Sequence, residues 1–374
     1  MADVTQFDRY LNDNGPAALV LREWLMPVEG PDGVLFPATY AGRGEFGGGY
    51  NINDHAPDGS NVCLIDSVGS QANRIEPLFM KAPFAALVPQ IVIRAGEKEV
   101  NILEAGHRAG DALVRCSSLE EDIEDAFSAS IKGDVRKLAK IAPTSLVFGV
   151  WNSRGRKGNQ EKRPRLVAST IRAFNVRKLT RSAVYAAPVD YSEMDVFSEE
   201  DKQKAEGDEK NPLSKRGFVN ALASWTHGGI IADGGIRRDA TLGLAALRLL
   251  RAGDDNVETI KLQRYILGLA LIAFTTHTSS YLRQGCMLVR NPVKADDNEF
   301  VEVYANGDRE PLNVTEKQAL EFAEAAAGEF GVGDSQTVDF DKKRAVNDIK
   351  KDAESKSKSK RGAKKKDDDT SGGE

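Results

Sequence analysis

The sequence predicts an α+β fold, and three observations lead to this prediction. Segments rich in valine and isoleucine, bounded by proline or charge, are mixed with amphipathic segments that have helical spacing. Their order is too irregular for the repeated strand–helix–strand units of a doubly wound sheet. At 374 residues, 41% of them hydrophobic, the chain is also long enough to bury a sizeable core.

The individual elements follow from local composition. Strands are predicted at residues 33–42, 86–95 and 163–176, which are rich in branched residues and bounded by turn formers or charge. Helices are predicted where apolar residues recur every three to four positions, at residues 70–80, 119–129, 241–250, 262–274 and 316–327.

One large domain is predicted over residues 1–340. Residues 341–374 have too few apolar side chains to repay the entropy of folding, so they are predicted to be a disordered, lysine-rich tail. Residues 190–210 hold nine acids against three lysines and are predicted to form an exposed loop or insertion. Residues 154–181 hold ten basic residues against one acid, and this asymmetry predicts surfaces with different partners.

Several classes of function are disfavoured by missing motifs. The three cysteines and four histidines lack the spacing of disulfide frameworks, zinc sites or HExxH helices, so no metal or cofactor is expected. No apolar run approaches a membrane span, and the N-terminus does not resemble an export signal, so a cytoplasmic protein is expected. The glycine-rich segments 42–49 and 228–238 match neither a phosphate loop nor GxGxxG, and both are predicted to be surface loops.

The segment "LIDSVGSQANRIEPLF" (64–79) carries more hydrogen-bonding side chains than a helix start needs. Ser67 or Ser70 can cap the helix, and the remaining N–H groups and the helix dipole can then attract an anion. Gln71, Asn73 and Arg74 follow within the first turns. A sugar–phosphate backbone would find donors here for phosphate and ribose oxygens.

The basic stretch offers a second group of candidates. Arg154, Arg156 and Lys157 lie in a predicted loop, whereas Arg163 and Arg165 are one strand period apart and are predicted to share a face. Arginine suits phosphates because its planar fork donates two hydrogen bonds at once. A solvated basic face that balances the acidic segment is an equally good interpretation.

Four blocks together carry a resemblance to a known family: "LIDSVGSQANRIEPLF", "SLVFGVWNSRG", "RPRLVASTIRAFNV" and "GIRRDATLGLAALRLLR". They resemble the backbone subunit of CRISPR type I-G (formerly I-U) Cascade interference complexes, a RAMP-superfamily protein of the "Cas-seven" type. The resemblance runs from about residue 33 to residue 289. It implies a modified RRM/ferredoxin-like palm with inserted thumb- and finger-like elements.

The resemblance also implies partners and a division of labour. Copies of the chain would stack head to tail along a CRISPR RNA and present its spacer to a target DNA strand, beside other Cascade subunits and a recruited helicase-nuclease. Base pairing would read sequence and the protein would hold the backbone. No aromatic base-stacking motif is evident in the sequence. The RNA-binding candidates are Ser67, Ser70, Gln71, Asn73, Arg74, Arg154, Arg156, Lys157, Arg163, Arg165, Arg172, Arg237 and Arg238.

Two alternatives to this non-catalytic role remain open. Type III relatives in the same superfamily cleave target RNA with a loop aspartate, and Asp66 or Asp54 would be the candidate here. The other alternative is a metabolic enzyme that binds a nucleotide with its glycine-rich loops, which the missing motifs disfavour.

Overall fold

A computed structural model describes residues 3–45, 47–53, 56–154, 161–276 and 280–350. Its strands are β1 (Ala18–Pro27), β2 (Thr39–Tyr40), β3 (Gly49–Tyr50), β4 (Ile52–Asn53), β5 (Val62–Asp66), β6 (Ile91–Ala95), β7 (Lys98–Asn101), β8 (Val150–Asn152), β9 (Glu161–Arg163), β10 (Val167–Phe174), β11 (Val176–Tyr185), β12 (Ala221–Ala232), β13 (Ile236–Gly243), β14 (Tyr281–Arg283), β15 (Cys286–Arg290), β16 (Glu299–Val303), β17 (Arg309–Pro311) and β18 (Gln336–Asp339).

Its α-helices are α1 (Val68–Ile75), α2 (Ala112–Arg115), α3 (Glu120–Ile131), α4 (Arg136–Ile141), α5 (Thr144–Phe148), α6 (Glu199–Ala205), α7 (Pro212–Lys215), α8 (Leu244–Leu247), α9 (Asn256–Thr275) and α10 (Glu316–Phe330). Short 3₁₀ segments lie at Asp8–Leu11, Glu76–Met80, Phe84–Leu87, Ile102–Glu104, Arg108–Gly110 and Pro292–Asp297.

The central sheet has a ferredoxin-like core. Its strands lie in the order β15–β1–β13–β10–β5, and every neighbouring pair is antiparallel. The long segment between β1 and β10 carries α1, and α9 lies between β13 and β15. This is the arrangement of a split β-α-β pair. The α+β prediction, including its palm-like core, is therefore confirmed.

One face of the sheet, which we call the inner face, is covered by helices. Along β13 the side chains of Ile236, Ala240 and Leu242 point inward and are buried, whereas the alternate side chains lie on the opposite, outer face. Helix α9 is apolar on nearly all sides, which is typical of a helix inside a core. It packs on α10 at Gly268, where a Cβ would lie 2.8 Å from the Cα of Ala323.

The remaining strands form smaller attachments to this core. Strands β11 and β12 pair as a long two-stranded ribbon, and most side chains of β11 are exposed. Residues 190–210, predicted as an acidic loop or insertion, contain α6 and lie in the connection between the two ribbon strands. Strand β18 adds in parallel to β6, which joins a segment near the C-terminus to the α1 side of the molecule.

Most predicted helices are confirmed, but some elements differ. Helices α1, α3, α9 and α10 match predictions, whereas the helix predicted at 241–250 is wrong because β13 continues to Gly243 and only α8 follows. Of the strand predicted at 33–42, only Thr39–Tyr40 forms. The loop predicted at 228–238 is instead the end of β12, a tight turn and the start of β13.

The predicted tail is described only as far as residue 350. Residues 342–350 are helical, and Arg344 donates to a carboxylate oxygen of Glu120 at 2.7 Å. Residues 351–374 lie outside the described residues, so the disorder predicted for them stays a prediction. Within the described ranges no helix is both long and apolar enough to cross a membrane. Cys63, Cys116 and Cys286 are buried and unbridged.

Candidate nucleic-acid interface

The predicted helix start is capped as the sequence suggests. Ser67 has extended backbone angles, and its Oγ accepts a hydrogen bond from the N–H of Ser70 at 3.2 Å. The Ser67 hydroxyl also donates to Oγ of Ser70 at 3.1 Å. No acidic residue lies in the first turn of α1, so nothing in that turn offsets the positive end of its dipole.

A buried carboxylate fastens this helix to the sheet. Asp66 is 1% exposed, and its Oδ2 accepts from Nε2 of Gln71 at 2.7 Å and from Nε of Arg74 at 3.0 Å. Its Oδ1 accepts from Nη2 of Arg283 at 3.3 Å. Gln71 is itself buried and accepts from the Ser169 hydroxyl at 2.9 Å, so its side chain does not reach the surface. Arg74 keeps about a third of its side chain exposed.

A second network holds Asn73, which is exposed. Its Oδ1 accepts from Nη2 of Arg108 at 3.3 Å, and Arg108 also pairs with buried Glu76 at 2.5 Å. Burial raises the pKa of Glu76 to about 7, because desolvation outweighs the attraction of Arg108. Arg108 therefore connects the far end of α1 to the segment that follows α5, since its Nη1 donates to the carbonyl of Gly149 at 3.3 Å.

Arg165 lies beside this network and is exposed. Its pKa is lowered by partial burial and by the positive charge of Arg108. Arg165 makes no hydrogen bond or ion pair with any other described residue. Gly149, at φ +78°, allows its close packing, because a Cβ there would lie 2.8 Å from Cγ of Arg165. Glu76 contacts Arg108, whereas no described acid contacts Arg165, so the positive charge of Arg165 favours an anion beside it.

The other described basic side chains of residues 154–181 do not share one surface. The strand face shared by Arg163 and Arg165 is not observed, because β9 ends at Arg163 and Pro164 follows. Arg163 instead donates to Oγ of Ser130 at 2.5 Å and pairs with Glu161 at 2.8 Å. Arg154 is exposed just after β8, and Arg156 and Lys157 lie outside the described residues.

The remaining candidates, Arg172, Arg237 and Arg238, lie on neighbouring strands of the central sheet. Arg172 and Arg237 are cross-strand neighbours on the outer face. Arg238 points to the inner face, where it is buried, donates to the Ser169 hydroxyl at 3.1 Å and lies near Glu23. We therefore leave Arg238 and Gln71 out of the candidate surface.

The candidate surface thus divides into two parts. The first, the α1 surface, comprises Ser70, Asn73, Arg74 and Arg165. The second lies on the outer face at Arg172 and Arg237. Sequence reasoning missed Arg108, which donates to Asn73 and lies near Arg165.

Two observations bear on the alternative of metal-dependent RNA cleavage. They contain no group of three or more His, Cys, Asp or Glu side chains that could hold an ion. Asp66, a candidate catalytic aspartate, is buried and occupied by three side-chain donors. Asp54, the other candidate, lies outside the described residues.

Comparison with known protein families identifies a match in the first half of the chain. Residues 19–178 match a family model described as CRISPR-associated protein GSU0053. The matched segment includes α1, β10 and most of β1 and of the basic stretch, and it ends before β13. No curated protein matches the sequence.

Proposed function

We propose that this chain is a non-catalytic backbone subunit of a CRISPR interference complex of type I-G, which binds guide RNA along its sugar–phosphate backbone. Copies of it assemble head to tail on the guide and leave the bases free to pair with a target DNA strand. The match of residues 19–178 to a CRISPR-associated family supports the general role. The ferredoxin-like core supports the RAMP-type architecture.

The observation that carries the proposal is Arg165 of the α1 surface, which lies near Arg108 and has no acid partner among the described residues. Arg165 is exposed, and its pKa is lowered first by partial burial and then by the nearby charge of Arg108. The acid that Arg108 contacts, Glu76, lies on the buried side, and burial raises its pKa to about 7. A phosphate that binds beside Arg165 and Asn73 would supply the missing negative charge and accept charge-assisted hydrogen bonds.

The position of Asp66 supports a structural rather than catalytic role for that residue. A catalytic aspartate that binds a metal needs carboxylate lone pairs directed at solvent or substrate. Both oxygens of Asp66 instead accept hydrogen bonds from Gln71, Arg74 and Arg283, and the residue is 1% exposed.

The test measures binding of single-stranded RNA by the full chain and by Arg165→Ala over a range of salt concentrations. Loss of one phosphate contact should lower the slope of log affinity against log salt by roughly 0.7, similarly for unrelated spacer sequences. The matched control is Arg94→Ala, because Arg94 is an exposed arginine on β6 that is already paired with Glu99 at 2.9 Å. Equal slopes for wild type, Arg165→Ala and Arg94→Ala would overturn the assignment.

A further inference from the structure

The outer face of the central sheet brings together side chains from three strands. Trp24 on β1 is the cross-strand neighbour of Arg237 on β13, which is the neighbour of Arg172 on β10. Phe174 lies two residues beyond Arg172 and therefore on the same face. Paired residues on adjacent strands are in side-chain contact distance, so these four form one continuous row.

The aromatic rings and cations of this row are in direct contact. The Trp24 and Phe174 ring centroids are 6.2 Å apart, and Cζ of Arg237 lies 5.3 Å from the first and 4.9 Å from the second. Lys294, from the 3₁₀ segment Pro292–Asp297, places its Nζ 3.9 Å from the centroid of Trp24. Both rings are half-buried rather than enclosed.

The charges of this face do not balance. Asp239 accepts from Arg237 at 2.8 Å and lies 3.6 Å from Arg22, which also pairs with Glu299 at 2.8 Å. Asp239 and Glu299 therefore pair with Arg237 and Arg22. Arg172 and Lys294 have no acid partner among the described residues, so the face carries an excess of positive charge next to its rings.

We propose that this outer-face cluster, Trp24, Phe174, Arg172, Arg237 and Lys294, binds single-stranded nucleic acid through its bases. Bases stack well on aromatic rings and on guanidinium planes, and every base has such a face, so the site tolerates any sequence. Arg172 and Lys294 would lie beside the phosphates of the stacked nucleotides. A sheet face that carries aromatic rings and cations is a common platform for two or three stacked bases.

This site is separate from the α1 surface. Gln71 of α1 bonds to Ser169, which points to the inner face, whereas Arg172 and Phe174 point to the outer face. The inference extends the proposed function, because a chain that holds a guide backbone on one side of its sheet would hold a second, unpaired stretch on the other. The shared chemistry fits RNA or DNA, and the experiment distinguishes them.

The test uses the fluorescence of Trp24. The sequence has three tryptophans, so a Trp151→Phe, Trp225→Phe background leaves Trp24 as the reporter. This protein is titrated with oligouridine and with oligothymidine of about 12 nucleotides, within the range of single-strand site sizes. We expect saturable quenching of Trp24 fluorescence. The oligomer that binds more tightly shows whether the site prefers RNA or DNA.

Two variants in this background then test the contacts. Phe174→Leu keeps the apolar bulk but removes the ring, and it should weaken the affinity measured by quenching roughly 5- to 150-fold. Arg172→Gln should lower the salt slope by roughly 0.7. The control is Phe218→Leu, which changes a half-buried phenylalanine in the connection between β11 and β12 that meets Tyr191 edge to face and should not alter binding.

The outcomes separate the two proposals. If oligonucleotides bind without quenching Trp24, or if neither Phe174→Leu nor Arg172→Gln changes affinity, the cluster only stabilises the sheet and the outer-face proposal is overturned. If quenching is normal but Arg165→Ala leaves binding unchanged, the assignment of the α1 surface fails instead. If Phe174→Leu does not fold, Arg172→Gln decides the outcome, since its side chain is half-exposed and unpaired among the described residues.

Discussion

Removal of the charge on Asp66 should destabilise the protein substantially, because three donors converge on this buried carboxylate. Oδ2 accepts from Gln71 and Arg74, and Oδ1 accepts from Arg283. In Asp66→Asn one oxygen becomes an NH₂ group. Whichever way this amide is turned, its NH₂ group faces at least one of the three donors. Two donors cannot form a hydrogen bond with each other, so at least one contact is lost.

The size of this loss of stability depends on how far the arginine partners of Asp66 are buried. A broken buried ion pair typically costs about 3–5 kcal/mol. The Arg74 and Arg283 side chains are 32% and 26% exposed, so solvent can take over part of their solvation. Arg283 also keeps its hydrogen bond to the carbonyl of Ile65 at 3.0 Å. We therefore expect a loss of about 2–4 kcal/mol in the free energy of unfolding.

The assay is equilibrium denaturation of the isolated chain by urea, for wild type, Asp66→Asn and Asp134→Asn. Asp134 is the control because it is a surface carboxylate that pairs with a single partner, Arg136, at 2.6 Å. Its loss should cost about 1 kcal/mol or less. If Asp66→Asn is as stable as Asp134→Asn, the buried network does not hold α1 in place, and the structural role argued for Asp66 is refuted.

Three further predictions concern pH, packing and assembly. Since burial raises the pKa of Glu76 from 4.5 to about 7, its contribution to stability should be complete below pH 4.5 and be lost as the pH rises to 7, a loss of up to about 3 kcal/mol. Unfolding measured at pH 5 and pH 8 should show this loss in wild type and not in Glu76→Gln; identical pH profiles would contradict it. Gly268→Val should lower the free energy of unfolding by about 1–3 kcal/mol, because the new side chain would overpack against Ala323. Gly328→Ala, on an open face of α10, should raise it by about 0.5–1 kcal/mol. Thermal unfolding measures both variants, and the reverse order would refute the packing argument. Particle mass measured with guides of increasing spacer length should rise in steps, since open head-to-tail contacts do not close, and a fixed size would exclude that assembly.

The elements that could be predicted from sequence are those with strong local signals. Helices α9 and α10 have long runs with helical spacing, and the cap at Ser67 follows from residue type alone. The central strand β1 was missed, although its side chains alternate between buried and half-exposed positions, because its leucines also suit a helix. The helix predicted at 241–250 failed because pairing with β1 and β10 overrides the helical preference of the segment.

The site was harder to predict because its contacts are long-range. Asp66 and Arg283 are more than 200 positions apart in sequence, and no local pattern links them. The aromatic residues of the outer face likewise form no local motif in the sequence. Trp24 and Phe174 meet only after β1 and β10 are placed on either side of β13.

The most direct test of the proposed function is the sequence of the RNA that co-purifies with this chain when it is expressed together with its complex partners and a CRISPR array. A guide-binding backbone subunit should yield one RNA population of uniform length, in which a spacer is joined to repeat-derived ends. A heterogeneous mixture of cellular RNA, or protein free of nucleic acid, would contradict the proposal.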